Sequence, residues 1–223
     1  MWSKPDGVPF QLFCPRQLRS VEIYTRGGPV TPRGIFRGRV QGMAEGMKPL
    51  MVVEALPGYE AEVGRLLWML EETRRRTKEC LEGVNPAVLD WTPLPTANSI
   101  GTLLYHIAAI EADWLYMEVL EEQTFPPDLV TLFPDDVRDK TGRLVMARGT
   151  SLATSLDRLD VVRGHVVAAF REMSPAEFRR DRDFPDYRVT PEWVLHHLIQ
   201  HEAEHRGQIG LLRDLAERAT RAS

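Results

Sequence analysis

The sequence predicts an all-α fold, a four-helix bundle, from two observations. After Pro57, apolar residues recur at three- and four-residue steps in four long segments, which is the spacing of one helix face. The same region shows no alternating pattern long enough to indicate a useful strand. Four amphipathic helices bury their apolar faces best against one another, which favours a bundle. The helices are predicted near residues 58–81, 99–122, 150–173 and 190–218.

The first two helices have clear patterns and boundaries. In the first, Val63, Leu67 and Leu70 share one face, with charged residues between them. Prolines at 93 and 95 then interrupt the chain, and Ser99 is a good N-cap for the second helix. We therefore expect the second helix to begin at about Ser99.

Residues 123–149 form a long proline-containing connection between the second and third helices. This length predicts a crossover that lets its flanking helices run parallel, and it predicts a wall for a pocket. The third helix follows with Leu152, Leu156 and Leu159 directed inward. The fourth helix is predicted to open at Thr190 and Pro191, an N-cap followed by proline at the first helical position.

Residues 1–50 differ in composition from residues 51–223. They hold 13 of the 32 glycines and prolines in the chain, and eight Lys or Arg against three acids. The sequence therefore predicts a Gly/Pro-rich basic leader, poorly ordered, before the bundle domain at 51–223. Its deletion is expected to leave thermal stability nearly unchanged. A basic arm that binds an acidic partner is the alternative.

Several classes of protein are excluded by composition. The formal net charge of −4 disfavours a nucleic-acid-binding protein. No apolar run approaches the roughly 18 residues of a membrane span, and the amino terminus lacks the apolar core of a signal peptide. The two cysteines, Cys14 and Cys80, fit neither a disulfide framework nor a Cys-rich zinc site. A reducing, cytoplasmic location is therefore predicted.

The fourth helix carries a stripe of seven residues at helical spacing, apolar at both ends and polar in its middle. Its members are Val194, His197, His201, His205, Gln208, Leu212 and Leu215. Buried histidines need partners, and a metal ion accepts imidazole lone pairs directly. His201 and His205 are separated by one helical turn, so both can reach one ion. His106, on the inward stripe of the second helix, is the best third ligand.

The sequence thus predicts a divalent-metal site at His106, His201 and His205 with coordination positions open to substrate. The alternative is a hydrogen-bonded histidine cluster without an ion. Metal binding needs neutral histidines, so affinity is expected to fall below about pH 6.5.

Four other residues are candidates near the site. His197 is predicted to line the pocket, and it could replace His205 as a ligand. Gln208 is expected to orient the pocket rather than bind the ion. Glu202 is the candidate catalytic base, and Asp113, about 10 Å from His106 along the helix axis, is a poorer one. The two other histidines of the domain, His165 and His196, are expected to be peripheral.

Residues 201–205 match the HExxH signature of zinc metalloproteases. That signature also requires a further downstream ligand and a flanking sheet. No histidine follows His205, and the surrounding region is helical. A peptidase is therefore disfavoured.

Two segments resemble the motifs of DinB-like proteins. Residues 99–106, Ser-Ile-Gly-Thr-Leu-Leu-Tyr-His, followed by Glu111 and Trp114, resemble their second-helix motif. Residues 201–209, His-Glu-Ala-Glu-His-Arg-Gly-Gln-Ile, resemble their fourth-helix motif. The resemblance covers about residues 57–218.

This resemblance implies an up-down-down-up bundle with a three-histidine metal site at His106, His201 and His205. The sequence departs from the family at Glu204, where members often have another histidine, and residues 1–50 have no counterpart. Some DinB-like proteins are thiol S-transferases, and others are isomerases or hydrolases.

The leading hypothesis is therefore a metal-dependent transferase acting on a low-molecular-weight thiol and an electrophile. One alternative is a hydrolase that uses a metal-bound water with Glu202 or Asp113 as base. Another is a non-catalytic protein that binds a metal or small molecule, and a homodimer is left open. Imidazole ligands suit zinc, nickel and iron alike, so the sequence does not choose the metal.

Overall fold

The described chain is mostly helical, as predicted. The computed structural model describes residues 50–222, so the predicted leader, up to Pro49, lies outside the described residues. Seven α-helices are present in this range: α1 (Ala61–Cys80), α2 (Pro86–Leu89), α3 (Ile100–Asp113), α4 (Pro127–Leu132), α5 (Leu152–Ala169), α6 (Pro175–Phe178) and α7 (Pro191–Ala222). The four longest lie at the four predicted positions. Their up-down-down-up arrangement stays a prediction.

Polar side chains at the predicted positions start several of these helices. The Ser99 hydroxyl accepts a hydrogen bond from the amide of Thr102 and so caps α3. Thr190 does the same for α7, accepting from the amide of Trp193 at 3.2 Å. These bonds satisfy donors that the first turn of a helix leaves without partners.

Helix α3 is central to the core of this domain. Every residue from Ile100 to Ala112 is buried, although the sequence predicted an amphipathic helix. The helix packs against both α5 and α7, while α1 packs along α7. Because this helix is covered on all sides, His106 would be buried whichever side of the helix it occupied.

The predicted second helix changes its hydrogen-bonding pattern before it ends. Residues Trp114–Val119 continue α3 as a π-helix, which buries five of its six side chains. The segment closes with a bond from the amide of Leu120 to the carbonyl of Leu115, at 2.9 Å. π-Helical turns are rare and are frequent at functional sites.

Two very short strands correct the prediction of a domain without strands. β1 (Arg182–Asp183) pairs antiparallel with β2 (Arg188–Val189). Strands of two residues show no alternating pattern, so the sequence could not reveal them. Arg182 is fully buried and donates from Nε and Nη2 to the carbonyl of Val119, at 3.1 and 3.0 Å. The hairpin is thereby attached to the end of the π-helix.

The long connection at 123–149 has internal order. Helix α4 packs against α5. The hydroxyl of Tyr105, the residue before His106, donates to the carbonyl of Asp135 at 2.6 Å. Further along, Arg138 and Leu144 form an isolated antiparallel bridge. Across the described range, no helix is long and apolar enough to cross a bilayer.

Candidate metal centre

Three imidazoles from two helices meet at one point. Nε2 of His201 lies 3.1 Å from Nε2 of His106 and 3.1 Å from Nε2 of His205. The ligand atoms of all three histidines lie within 4.8 Å of one another. Within residues 50–222, no other group of three or more His, Cys, Asp or Glu side chains is close enough to share an ion. The structure thus brings together the three histidines that the sequence selected.

Helix geometry explains the convergence. His201 and His205 are four residues apart on α7, so their side chains leave the same face. His106 reaches them from α3, which packs against α7, and is only 5% exposed. The rings of His201 and His205 are nearly perpendicular, with an interplanar angle of 84°. Perpendicular rings can direct their nitrogens at a common point without stacking.

The spacing of the nitrogens is compatible with a shared metal ion. Two imidazole nitrogens bound to one ion at about 2.1 Å are separated by roughly 3.0–3.4 Å. The observed 3.1 Å falls in this range. Each imidazole nitrogen can donate or accept along only one direction in its ring plane, so one proton cannot satisfy two contacts of His201 Nε2 equally. A metal ion that accepts three lone pairs satisfies all three nitrogens.

Burial and mutual repulsion keep these histidines neutral. Burial, followed by the proximity of His205, lowers the pKa of His106 to about 3 and that of His201 to about 2. Burial also lowers the pKa of His205, against the hydrogen bond that it donates to Gln208, which raises it. Neutral imidazoles have the free lone pairs that a metal ion needs. In the folded protein, competition from protons therefore begins well below the pH of 6.5 expected from the sequence.

Gln208 fixes the orientation of one ligand. Its Oε1 atom lies 2.9 Å from Nδ1 of His205 and accepts the proton of that nitrogen. With the proton on Nδ1, the Nε2 lone pair of His205 is free to bind an ion. Gln208 is exposed rather than buried, so it reaches the site from the solvent side.

Aromatic side chains form a wall next to the histidines. His197 does not join the three ligand atoms. Its ring stacks on Trp193, with centroids 5.1 Å apart and planes 6° from parallel, and lies 4.8 Å from the ring of Trp114. The ring of His197 is 5.8 Å from that of His201, and Trp193 is 39% exposed. The wall therefore extends from the three histidines to the partly exposed ring of Trp193.

Glu202, which the sequence predicted to be a catalytic base, lies in the core instead of facing the metal centre. Its side chain is 1% exposed and turns into the core, where Oε1 accepts from Arg74 at 2.8 Å and Oε2 from Arg163 at 3.0 Å. Both oxygens of this carboxylate are therefore engaged by guanidinium groups and do not face a metal-bound water. This placement makes Glu202 part of the core charge network rather than a partner of a metal-bound water.

The buried face of α7 is also displaced from the predicted stripe. Gln208 and Leu215 are exposed, whereas the buried positions follow a neighbouring line: Leu195, Leu198, Glu202, Ile209 and Ala216. His201 and His205 consequently lie at the edge of the core, partly buried, while His106 reaches them from the interior. Such a border position gives a metal centre access to solvent and substrate.

Asp113 and the remaining histidines lie away from the centre. Asp113 ends α3 close to Tyr187, whose pKa is raised by burial, by the hydrogen bond to Glu118 and by the Asp113 charge. His196 is exposed, as expected. His165 is also peripheral to the centre, and 27% of its side chain is exposed. It bonds to the hydroxyl of Tyr116 through Nδ1 and to Asp128 through Nε2, both at 2.8 Å.

The connection at 123–149 contributes a positive charge to the site. Arg138 lowers the pKa of His106, His201 and His205, in each case as the smallest contribution after the larger effect of burial. Arg138 is exposed and donates to the carbonyl of Gly142 at 2.8 Å. A guanidinium at this position favours anionic ligands.

Sequence reasoning missed the two arginines that bind Glu202. Arg74 and Arg163 are buried, and both also bind the carboxylate of Glu111. Burial alone would raise the pKa of Glu111, but Arg163 and Arg74 hold it below its ordinary value. The available signal was the position of Arg74 on the inward stripe of the first helix, where a charge requires a buried partner.

Comparison with known proteins agrees with this architecture. No curated protein matches the sequence. A solved structure, described as a conserved protein from Enterococcus faecalis, superposes with a TM-score of 0.53 at 18% identity. The match covers 68% of this chain and 94% of that one, and at this identity it shows a shared fold alone. The sequence matches the DinB superfamily over residues 69–209, a range that includes all three site histidines. The chain belongs to the DinB superfamily.

Proposed function

We propose that this protein is a divalent-metal-dependent transferase that joins a low-molecular-weight thiol to an electrophile. In this proposal a four-helix bundle holds the ion through Nε2 of His106, His201 and His205. The observation that carries the proposal is the meeting of three neutral imidazole nitrogens at the border of the core, next to an aromatic wall. Three protein ligands leave coordination positions for a substrate.

The chemistry of the bound ion would be to lower the pKa of a coordinated thiol, so that the thiolate forms near neutral pH. The sulfur would then bond to the electrophilic carbon while a leaving group, such as halide, departs with its electron pair. The thiol proton passes to solvent. This reaction needs no carboxylate base, which agrees with the engagement of Glu202 by Arg74 and Arg163.

The residues around the centre have separate roles in this proposal. Gln208 holds the tautomer of His205 that leaves Nε2 free. The stacked rings of Trp193 and His197 offer a flat apolar surface on which a planar electrophile can lie. Arg138 supplies positive charge that favours an anionic thiol or a carboxylate on the substrate.

A hydrolase is the less favoured function. It requires a base within hydrogen-bond reach of a metal-bound water. Both oxygens of Glu202 accept hydrogen bonds from guanidinium groups in the core, and Asp113 stands about two helical turns beyond His106 on α3. The thiol reaction does not require such a base.

Metal analysis followed by activity assays tests the proposal. The purified protein is expected to contain close to one divalent ion per chain. With that ion it should accelerate the reaction of small thiols with chlorodinitrobenzene, measured by absorbance. His201→Ala should abolish both properties, while His196→Ala, a change at an exposed histidine of the same helix, should abolish neither. Stoichiometric metal with no turnover across thiols would reject the transferase and favour a binding protein.

A further inference from the structure

A closed ring of four charged side chains lies in the core, and each member comes from a different long helix. The ring consists of Arg74 on α1, Glu111 on α3, Arg163 on α5 and Glu202 on α7. All four residues are at most 5% exposed. The ring itself holds two positive and two negative charges, and the half-exposed Glu71 adds a further carboxylate that accepts from Nη1 of Arg163 at 3.0 Å.

Each arginine bridges both carboxylates. Arg74 donates from Nη2 to Glu111 at 2.6 Å and from Nε to Glu202 at 2.8 Å. Arg163 donates from Nε to Glu111 at 2.5 Å and from Nη2 to Glu202 at 3.0 Å. The remaining nitrogen of each arginine, Nη1, donates to a backbone carbonyl on the helix that carries the other arginine. Arg74 Nη1 donates to Leu159 on α5, and Arg163 Nη1 donates to Leu70 on α1. Every nitrogen of both guanidinium groups therefore has a partner.

The negative charges of the ring are on the two helices that carry the site histidines, and the positive charges are on the other two. The two carboxylates stand on α3 and α7, which carry the histidines, and the two guanidinium groups stand on α1 and α5, which carry none of the three. Glu202 directly follows His201, and Glu111 comes five residues after His106. Each arginine consequently ties together the two helices whose separation sets the distance between His106 and the pair on α7.

Stability alone does not explain a ring of this kind. Removing charges from water has a large cost in free energy, and well-packed apolar residues often replace a buried ion network without loss of stability. A guanidinium group, however, is a planar fork with fixed donor directions, so it holds its partners in a defined geometry. An apolar contact of the same size would allow the helices to slide.

We propose that Arg74 and Arg163 are positioning residues for the metal centre. Through Glu111 and Glu202 they fix the separation of α3 and α7, which keeps His106 at the distance from His201 and His205 that one ion requires. This inference rests on the proposed metal site. It extends the site to two helices that supply no ligand.

Two charge-conserving changes test the inference. The double variant Arg74→Met/Glu111→Gln removes one positive and one negative charge and leaves Arg163 paired with Glu202. The single variant Arg74→Lys retains the charge and most of the length but loses the fork. Each is compared with Lys78→Gln/Asp160→Asn, which removes an exposed ion pair between the same two helices, α1 and α5.

The readouts are Co²⁺ affinity, measured by chelator competition, and the visible absorption spectrum of the Co²⁺-loaded protein. Both are recorded well below the unfolding temperature of each variant, so that global stability does not enter. The ring variants are expected to bind Co²⁺ at least about 10-fold more weakly, with an altered spectrum, since loss of groups that orient ligands typically has this effect. The exposed-pair variant should match the parent in both.

Ring variants that are folded, by circular dichroism, and that bind Co²⁺ with the affinity and spectrum of the parent would overturn the inference. If the double variant does not fold, Arg74→Lys decides by the same criteria. A parent protein that binds no Co²⁺ would reject the proposed metal site, and the inference with it. If the parent binds Co²⁺ normally and the ring variants do so equally well, only the inference about Arg74 and Arg163 is rejected.

Discussion

Nε2 of His106 and Nε2 of His201 lie 3.1 Å apart, although 95 positions separate the two residues in the sequence. One imidazole belongs to α3 and the other to α7, so their contact depends on how these two helices pack. His205 adds a third nitrogen at the same distance from His201.

Removal of the central imidazole should abolish metal binding. His201→Ala leaves only two ligands, which belong to different helices, and the variant should retain no stoichiometric ion after dialysis. The measurement is metal content by mass spectrometry. His196→Ala changes an exposed histidine on the same helix and should keep the metal content of the parent. Equal loss in both variants would contradict the assignment.

Gln208→Ala should weaken metal binding without abolishing it. The change removes the acceptor at 2.9 Å from His205 Nδ1, so the ring is no longer held in the tautomer that frees Nε2. Affinity for Zn²⁺ is expected to fall about 10-fold, as for other groups that orient a ligand. Titration calorimetry measures the change. Gln200→Ala, at another exposed position of α7, should leave the affinity unaltered.

The metal-free protein should lose stability as the pH falls from about 6.5 to 5. The pKa values of His106 and His201 are about 3 and 2 when folded, and histidine has a pKa of about 6.5 when unfolded. Between these values the unfolded chain binds more protons, so acid favours unfolding. Each histidine contributes at most about 1.4 kcal/mol per pH unit. This stabilisation is fully present above about pH 6.5 and is lost as the pH falls.

Denaturant unfolding of the metal-free protein at pH 7 and pH 5 measures this dependence. His201→Gln removes one of the three site histidines whose pKa is depressed, and we expect it to lower the slope of unfolding free energy against pH by at most about 1.4 kcal/mol per pH unit. The parent and the His201→Gln variant are both measured without metal, so their slopes can be compared directly. An unchanged slope would show that His201 is protonated in the folded protein at pH 5.

Single removals from the core ring should strongly destabilise the fold. Glu202→Ala leaves Arg74 and Arg163 sharing one carboxylate, and loss of one partner of a buried ion network typically costs about 3–5 kcal/mol. The free energy of unfolding in urea gives the value. Glu204→Ala, two residues along and exposed, should change it by less than about 0.5 kcal/mol. A Glu202→Ala variant with normal stability and reduced turnover would restore the predicted role of a base.

The sequence allowed the helices and the histidine site to be predicted for local reasons. The four long helices follow from apolar periodicity, and the starts of α3 and α7 follow from Ser99 and Thr190. The spacing of His201 and His205 places two imidazoles on one face of any helix. The choice of His106 needed more than periodicity, because α3 is buried on all sides and its inward stripe is not distinct.

The buried face of α7 was misjudged because Glu202 was assigned to the metal site instead of to the core. Glu202 lies in the core only because Arg74 and Arg163 meet it there, and both arginines belong to helices distant in sequence. No local pattern reveals such pairing. The π-helical turn at Trp114–Val119 and the hairpin around Arg182 escaped prediction for the same reason: tertiary contacts, such as that of Arg182 with Val119, accompany them.

The most direct test of the metal centre is a crystal structure of the protein loaded with Zn²⁺ or Co²⁺, with the ion located by anomalous scattering. We predict one ion within about 2.0–2.2 Å of Nε2 of His106, His201 and His205. An ion bound elsewhere, or three imidazoles hydrogen-bonded to one another without an ion at saturating metal, would contradict the account.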